Sequence, residues 1–201
     1  MIIHDVQQGS YEWLQLRLGK ITSTRLKKVL SKDNLSVIDE LIAEEETGFG
    51  DDDTFVSEEM QRGIDMEPLA IKEYEHQTGI SVDRIGFIQS SDIPMLCQSP
   101  DGYVGKTGAI EVKCPKTKTH IKYIRQGKVP NEYKEQVWTY FLVNPDLEWV
   151  DFISYDPRLI KKPIWVYRVM REDIQEDLDS TMEILKDFVS KYEKYKQEIF
   201  F

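Results

Sequence analysis

Between residues 84 and 114 the chain runs through four short segments, 84–89, 95–98, 102–104 and 109–114, rich in β-branched and aromatic residues and separated by turn-forming stretches at Asp92-Ile93-Pro94 and from Gly105 to Gly108. Strands this short form no stable sheet unless other elements cover them. The spacing predicts an antiparallel meander, and the flanking sequence supplies its cover. Ser10 caps a short helix through Arg17, a second runs from Ser23 to Leu30, and a third spans 35–46. Ser57, followed by Glu58 and Glu59, opens a helix through Met60, Ile64, Ile71 and Tyr74 to about Gln77, with Gly79 as its stop and Pro68 marking a kink or a restart. Asn131 caps a helix through Val143 that Asn144-Pro145 ends, strands follow over 149–155 and 164–170, and a long helix occupies 172–199. The expectation is a mixed α/β fold, with a small mixed β-sheet flanked by helices in a single domain over 1–201. Its helical part covers 1–80, its sheet 81–171 and its closing helix 172–199.

Composition narrows the class. At 201 residues, 40% of them hydrophobic, the chain fills a core of its own, which excludes intrinsic disorder. A formal net charge of −10 argues against a uniformly basic nucleic-acid binder but leaves room for a local basic site. Charge is distributed unevenly. From Asp39 to Asp53 there are eight acids and no base, read as a solvated helix end and loop. From Lys106 to Lys128 there are seven bases and the single acid Glu111. No apolar run reaches the roughly 18 residues of a membrane span, and the N-terminus lacks the basic start of a secretion signal, so a cytoplasmic protein with no membrane partner is expected. Cys97 and Cys114 are too few for a disulfide framework. In the closing helix, Ile174, Leu178, Met182, Leu185, Phe188, Tyr192, Tyr195 and Ile199 recur at steps of three or four, the pattern of a helix packed on its own domain or, alternatively, of a subunit contact.

Ser99-Pro100-Asp101-Gly102 followed by Glu111-Val112-Lys113 carries the chemistry. In a strand of period two, Glu111 and Lys113 share one face while Ile110, Val112 and Cys114 pack on the other. Pairing across the Gly105 to Gly108 turn brings Asp101 beside Glu111. Two carboxylates next to an ammonium suit Mg²⁺ or Mn²⁺, which keeps several waters and takes the rest of its shell from a phosphate. The plain alternative is a surface ion pair on a hairpin. His4, His76 and His120 show no metal-ligand spacing. Lys116, Lys118, Lys122, Arg125 and Lys128 read as a surface that tracks a phosphate backbone, or as a solvated lysine face.

These residues resemble the PD-(D/E)XK nuclease core, and specifically the bacteriophage lambda exonuclease family, or YqaJ-type viral recombinases. The likeness extends over Trp13 to Arg158. It takes in the block from Trp13 to Thr24, the helix Arg62-Gly63-Ile64-Asp65-Met66-Glu67-Pro68, the helix Glu135-Gln136-Val137-Trp138-Thr139-Tyr140, and Tyr155-Asp156-Pro157-Arg158. The resemblance implies a Mg²⁺-dependent 5′-to-3′ exodeoxyribonuclease on double-stranded DNA ends, with Mn²⁺ as substitute, leaving 3′ single strands for recombination. Asp101, Glu111 and the Val112 carbonyl would ligate the metal, Lys113 would be the catalytic lysine, and Glu67 and Gln136 accessory. Arg17 would bind the 5′ phosphate with Thr24 and Ser99, although Ser23-Thr24 departs from the family's Ala-Ser and leaves open which of Thr22, Ser23 and Thr24 reaches it. Met60 would part the duplex. A homotrimeric ring and a single-strand annealing protein are the implied partners. A structure-specific or restriction-type endonuclease, or a DNA-binding scaffold with an idle site, are the competing readings. A cysteine hydrolase built on Cys114 fails because Cys114 is expected to point into the core and no histidine is placed near it in sequence.

Overall fold

The computed structural model describes residues 1–50 and 57–201, so Asp51, Asp52 and Asp53 of the acidic run lie outside the described residues. The chain opens with β1 (Ile2–His4) and four helices, α1 (Tyr11–Arg17), α2 (Ser23–Val29), α3 (Leu35–Thr47) and α4 (Glu58–Thr78). Strands β2 (Phe87–Gln89), β3 (Cys97–Gln98), β4 (Gly102–Val104) and β5 (Gly108–Lys113) follow, then α5 (Thr117–Gln126), α6 (Lys134–Val143), β6 (Trp149–Tyr155), β7 (Ile164–Met170) and α7 (Gln175–Phe200). The caps work as their residue types dictate: the Ser10 hydroxyl accepts from the Trp13 N–H and the Ser57 hydroxyl from the Met60 N–H. α4 runs unbroken for 21 residues through Pro68, so it does not restart there. Asn131 begins a 3-10 turn over Asn131–Tyr133 rather than capping α6 directly.

The fold is mixed α/β, but its strands do not form one meander. β1, β2 and β3 make an antiparallel sheet, and β4, β5, β6 and β7 a second one in that order, with β5 and β6 parallel. Each expected hairpin is present, β2 with β3 and β4 with β5. The chain leaves one sheet for the other at Ser99-Pro100, where proline has no N–H to donate to a ladder. β1 was not expected from the sequence, nor was α5, which the lysine-rich stretch disguises.

The four-stranded sheet lies between two apolar clusters. Ile110, Val112 and Ile153 face Ala70, Ile71 and Tyr74 of α4. Val150 and Phe152 face the larger cluster with Tyr140 and Phe141 of α6 and Leu185 and Phe188 of α7. The α7 stripe is thus turned into the core through Leu178, Leu185, Phe188 and Tyr192, while Ile199 at its end is exposed. The acidic end of α3 is less solvated than its composition suggests, because Glu44 is buried against Arg25 and Lys196 of α7 pairs with Glu45 and Glu46. Among the described residues no helix is long and apolar enough to cross a membrane.

Candidate active site

The β4–β5 register places Gly102 opposite Ile110, so one step outward Asp101 approaches Glu111. Asp101 Oδ2 accepts the Val112 N–H at 2.7 Å, and Lys113 Nζ meets Glu111 Oε1 at 2.5 Å. The three side chains that spacing singled out therefore converge. Glu111 is only 4% exposed, so its face of β5 is packed rather than open to solvent as a polar surface. Burial and then the neighbouring Glu111 charge push the Asp101 carboxyl well above the usual carboxylate range, against the pull of the Lys113 ammonium. Burial alone would lower Lys113, but the Glu111 and Asp101 carboxylates outweigh it and hold the amine protonated. The ammonium also lies 5.1 Å from the centre of the Tyr133 ring. Tyr140 ties the frame together: its hydroxyl accepts the Asp101 N–H at 3.0 Å and donates to the Ile110 carbonyl at 2.8 Å.

The site opens into a cleft of about 710 Å³ at the exit end of β5. Met60, Arg62, Ile64 and Glu67 of α4 form one wall, and Lys116, Thr119, Tyr123 and Tyr133 the other. Met60 and Ile64 are both 58% exposed, so Met60 stands free at the mouth instead of filling a core. Glu67 lines the cleft, acts on Asp101 by charge and is held by Arg84 at 2.8 Å. Gln136 Oε1 is buried without a hydrogen-bond partner among the described residues, and Gln136 is not among the residues that line the cleft. Cys114 lines the cleft, yet burial raises its thiol to about 12, an inert state. Lys116 is held by Glu59 across the mouth. Lys118, Lys122 and Arg125 lie at helical spacing on the exposed face of α5, whose other face buries His120 and Tyr123. Lys128 lines a different groove, beside Trp138 and Tyr167.

A second hollow lies around Arg17, whose hydrogen-bond partner Ser99 stands two residues before Asp101. Arg17 Nη1 donates to Ser99 Oγ at 3.3 Å, Trp13 Nε1 donates to the same oxygen at 2.9 Å, and the Arg17 guanidinium stacks 4.3 Å from the Trp13 ring centre. Thr22 and Thr24 line this hollow with Arg17 and Arg25, their hydroxyls 3.1 Å apart; Ser23 is not among its lining residues. Arg25, itself held by Glu44, escaped the sequence reading, as did Arg62, Tyr133 and Tyr140. Their partners are backbone atoms or distant side chains, which leave no local pattern.

Among the described residues no three His, Cys, Asp or Glu side chains gather closely enough to cage a metal. A pair of carboxylates with an adjacent backbone carbonyl nevertheless fits a hard divalent cation that retains waters, as Mg²⁺ does.

Comparison with known proteins identifies the family. The model of the YqaJ-like viral recombinase domain matches residues 12–144. An alkaline exonuclease from Laribacter hongkongensis is 34% identical, with a TM-score of 0.84 over 94% of this chain and 96% of that one. LHK-Exo in complex with dAMP gives a TM-score of 0.82 at 34% identity over the same shares of both chains. A phage-related exonuclease from Haemophilus somnus 129PT, at 16% identity and a TM-score of 0.56 over 90% of this chain and 94% of that one, shares the fold alone. No curated protein sequence matches the chain. The chain belongs to the YqaJ-like viral recombinase family, and by that membership it is a nuclease.

Proposed function

We propose that the protein is a metal-dependent exodeoxyribonuclease that degrades the 5′-terminated strand of double-stranded DNA from its end. The observation that carries this reading is the link between the two hollows: Ser99, bonded to Arg17, stands two residues before Asp101 in one short loop. That loop is braced by Gln8 Nε2, which donates to the Pro100 carbonyl at 2.9 Å. A grip on a terminal phosphate and a pair of metal-binding carboxylates are thereby held at a set separation. Asp101, Glu111 and the Val112 carbonyl would hold the cation, which when bound polarises the scissile phosphodiester and lowers the pKa of its water. Lys113, kept protonated by its carboxylate neighbours, offers an ammonium to the charge that grows on phosphorus oxygens during attack. Glu67 and Gln136 orient groups around that centre. Arg17 offers a guanidinium fork to the phosphate dianion, with the Ser99 hydroxyl bonded to it and Thr24 lining the same hollow. Met60 parts the first base step, and Lys116, Lys118, Lys122 and Arg125 track the backbone. The dAMP bound to the Laribacter exonuclease supports mononucleotides as the released product. In this reading Mg²⁺ is the working metal, three copies form a ring around the DNA, and the 3′ tail passes to a single-strand annealing protein.

The test uses a linear duplex labelled separately at each terminus, with and without a 5′ phosphate, in Mg²⁺ or chelator. Mononucleotides released from the 5′ end, faster with the phosphate and abolished by chelator, are expected. Cleavage of circular DNA, or indifference to the end phosphate, would replace the exonuclease with an endonuclease on the same core. Light scattering should give three times 23.6 kDa.

A further inference from the structure

The catalytic strand ends at Lys113, and the chain then turns at Cys114-Pro115 before α5 begins. Carbonyls released at such a turn need donors, and one side chain supplies them. Arg62 Nη1 donates to the Cys114 carbonyl at 2.6 Å and to the Pro115 carbonyl at 3.2 Å. Its Nη2 donates to Asp156 Oδ1 at 3.2 Å. Asp156 is fully buried, one residue past β6, and also takes the Thr117 hydroxyl at 2.5 Å and the Arg158 guanidinium at 2.8 and 3.1 Å. One carboxylate therefore gathers α4 through Arg62, the start of α5 through Thr117, and the end of β6.

We infer that Arg62 is a positioning residue for the reaction: with Asp156 it clamps the exit of β5, and so sets where the Lys113 ammonium stands relative to Asp101 and Glu111. The inference rests on the nuclease reading of the cleft. A guanidinium fork suits the task because it spans two carbonyls and a carboxylate in one plane, which an ammonium cannot do. The same bonds hold the α4 wall, with Met60, Ile64 and Glu67, at a set distance from the strand. Arg62 also lines the cleft, so direct contact with DNA is the rival role. The two differ in what they change: a displaced Lys113 slows the chemical step, whereas a lost phosphate contact weakens binding and its salt dependence.

The experiment measures kcat, KM and the salt dependence of DNA binding for Arg62→Gln, Arg62→Lys, Asp156→Asn, the Arg62→Gln/Asp156→Asn double variant, Thr117→Val and Lys113→Ala, with thermal midpoints for each. Positioning predicts that Arg62→Gln lowers kcat about 10- to 100-fold with KM and salt slope unchanged, that Arg62→Lys recovers part of it, and that the double variant is no worse than its more damaging single change. Thr117→Val loosens the clamp without touching Arg62, and it should lower kcat by a smaller factor if Asp156→Asn fails to fold. A raised KM with a salt slope reduced by about one would assign Arg62 to DNA contact and overturn the inference. An unchanged kcat in Arg62→Gln, beside an inactive Lys113→Ala, would discard the inference alone. Full activity in Lys113→Ala would discard the nuclease reading on which it rests.

Discussion

Asp156 illustrates how much one side chain can carry at this site. Burial works to raise its carboxyl, but the hydrogen bonds from Arg158 and Thr117 prevail and bring it down to about 2. Because the folded-state value lies below the ordinary aspartate value of about 3.9, the group contributes stability above that pH and loses it as pH falls toward 2. Calorimetric midpoints should therefore drop more steeply between pH 4 and 2 for the native chain than for Asp156→Asn. Arg17 allows a functional prediction at the same scale. Removal of a charge-assisted hydrogen bond costs about 1.5–3 kcal/mol, so Arg17→Ala should cut kcat/KM on 5′-phosphorylated ends roughly 10- to 150-fold and leave unphosphorylated ends nearly unaffected. Equal losses on both ends would mean that Arg17 shapes its hollow without binding the phosphate. Asp101, Glu111 and Lys113 were legible in the sequence because a turn and a two-residue period bring them together. Arg62 and Tyr140 were not, because they bind main chain and, for Arg62, a carboxylate 94 residues away, and neither kind of partner leaves a local pattern.

Elements were legible where their ends carry chemistry of their own. Ser10 and Ser57 announce α1 and α4 because a hydroxyl satisfies an amide that the helix leaves open. α5 has an amphipathic period of its own, with His120 and Tyr123 on its buried face, but its lysines draw attention to charge and mask it. β1 offers three residues and no alternation, and it exists only because β2 lies beside it. Recognising α5 as a helix changes what its basic residues can do, since Lys118, Lys122 and Arg125 now project from one rigid face. Changing all three to Gln should lower the slope of log affinity against log salt by close to 3, at about 0.9 per phosphate contact, with kcat at saturating DNA preserved. An unaltered slope would return these residues to the solvated surface.

At the level of the whole molecule, two close approaches govern assembly. A Cβ at Gly86 would sit 1.7 Å from the Val6 carbonyl, so Gly86→Ala must push the N-terminal segment away from β2. Overpacking of this kind costs about 1–3 kcal/mol, and thermal melting should show a midpoint several degrees lower at roughly 2–4 °C per kcal/mol. At the other approach, a Cβ at Gly108 would run into the Trp149 ring, which marks how tightly β5 and β6 are joined at their start. That parallel join was beyond the sequence, because parallel partners are separated by a crossover and no local signal names the strand across it. It also has a consequence for the order in which the protein is made. Glu111 and Lys113 lie against Phe152 and Ser154, residues that leave the ribosome about forty positions later. A nascent chain that carries every candidate catalytic residue still lacks the strand that holds them in line. Chemistry at the site is thereby deferred until the strand across the sheet has been made, and timing is written into the order of the strands.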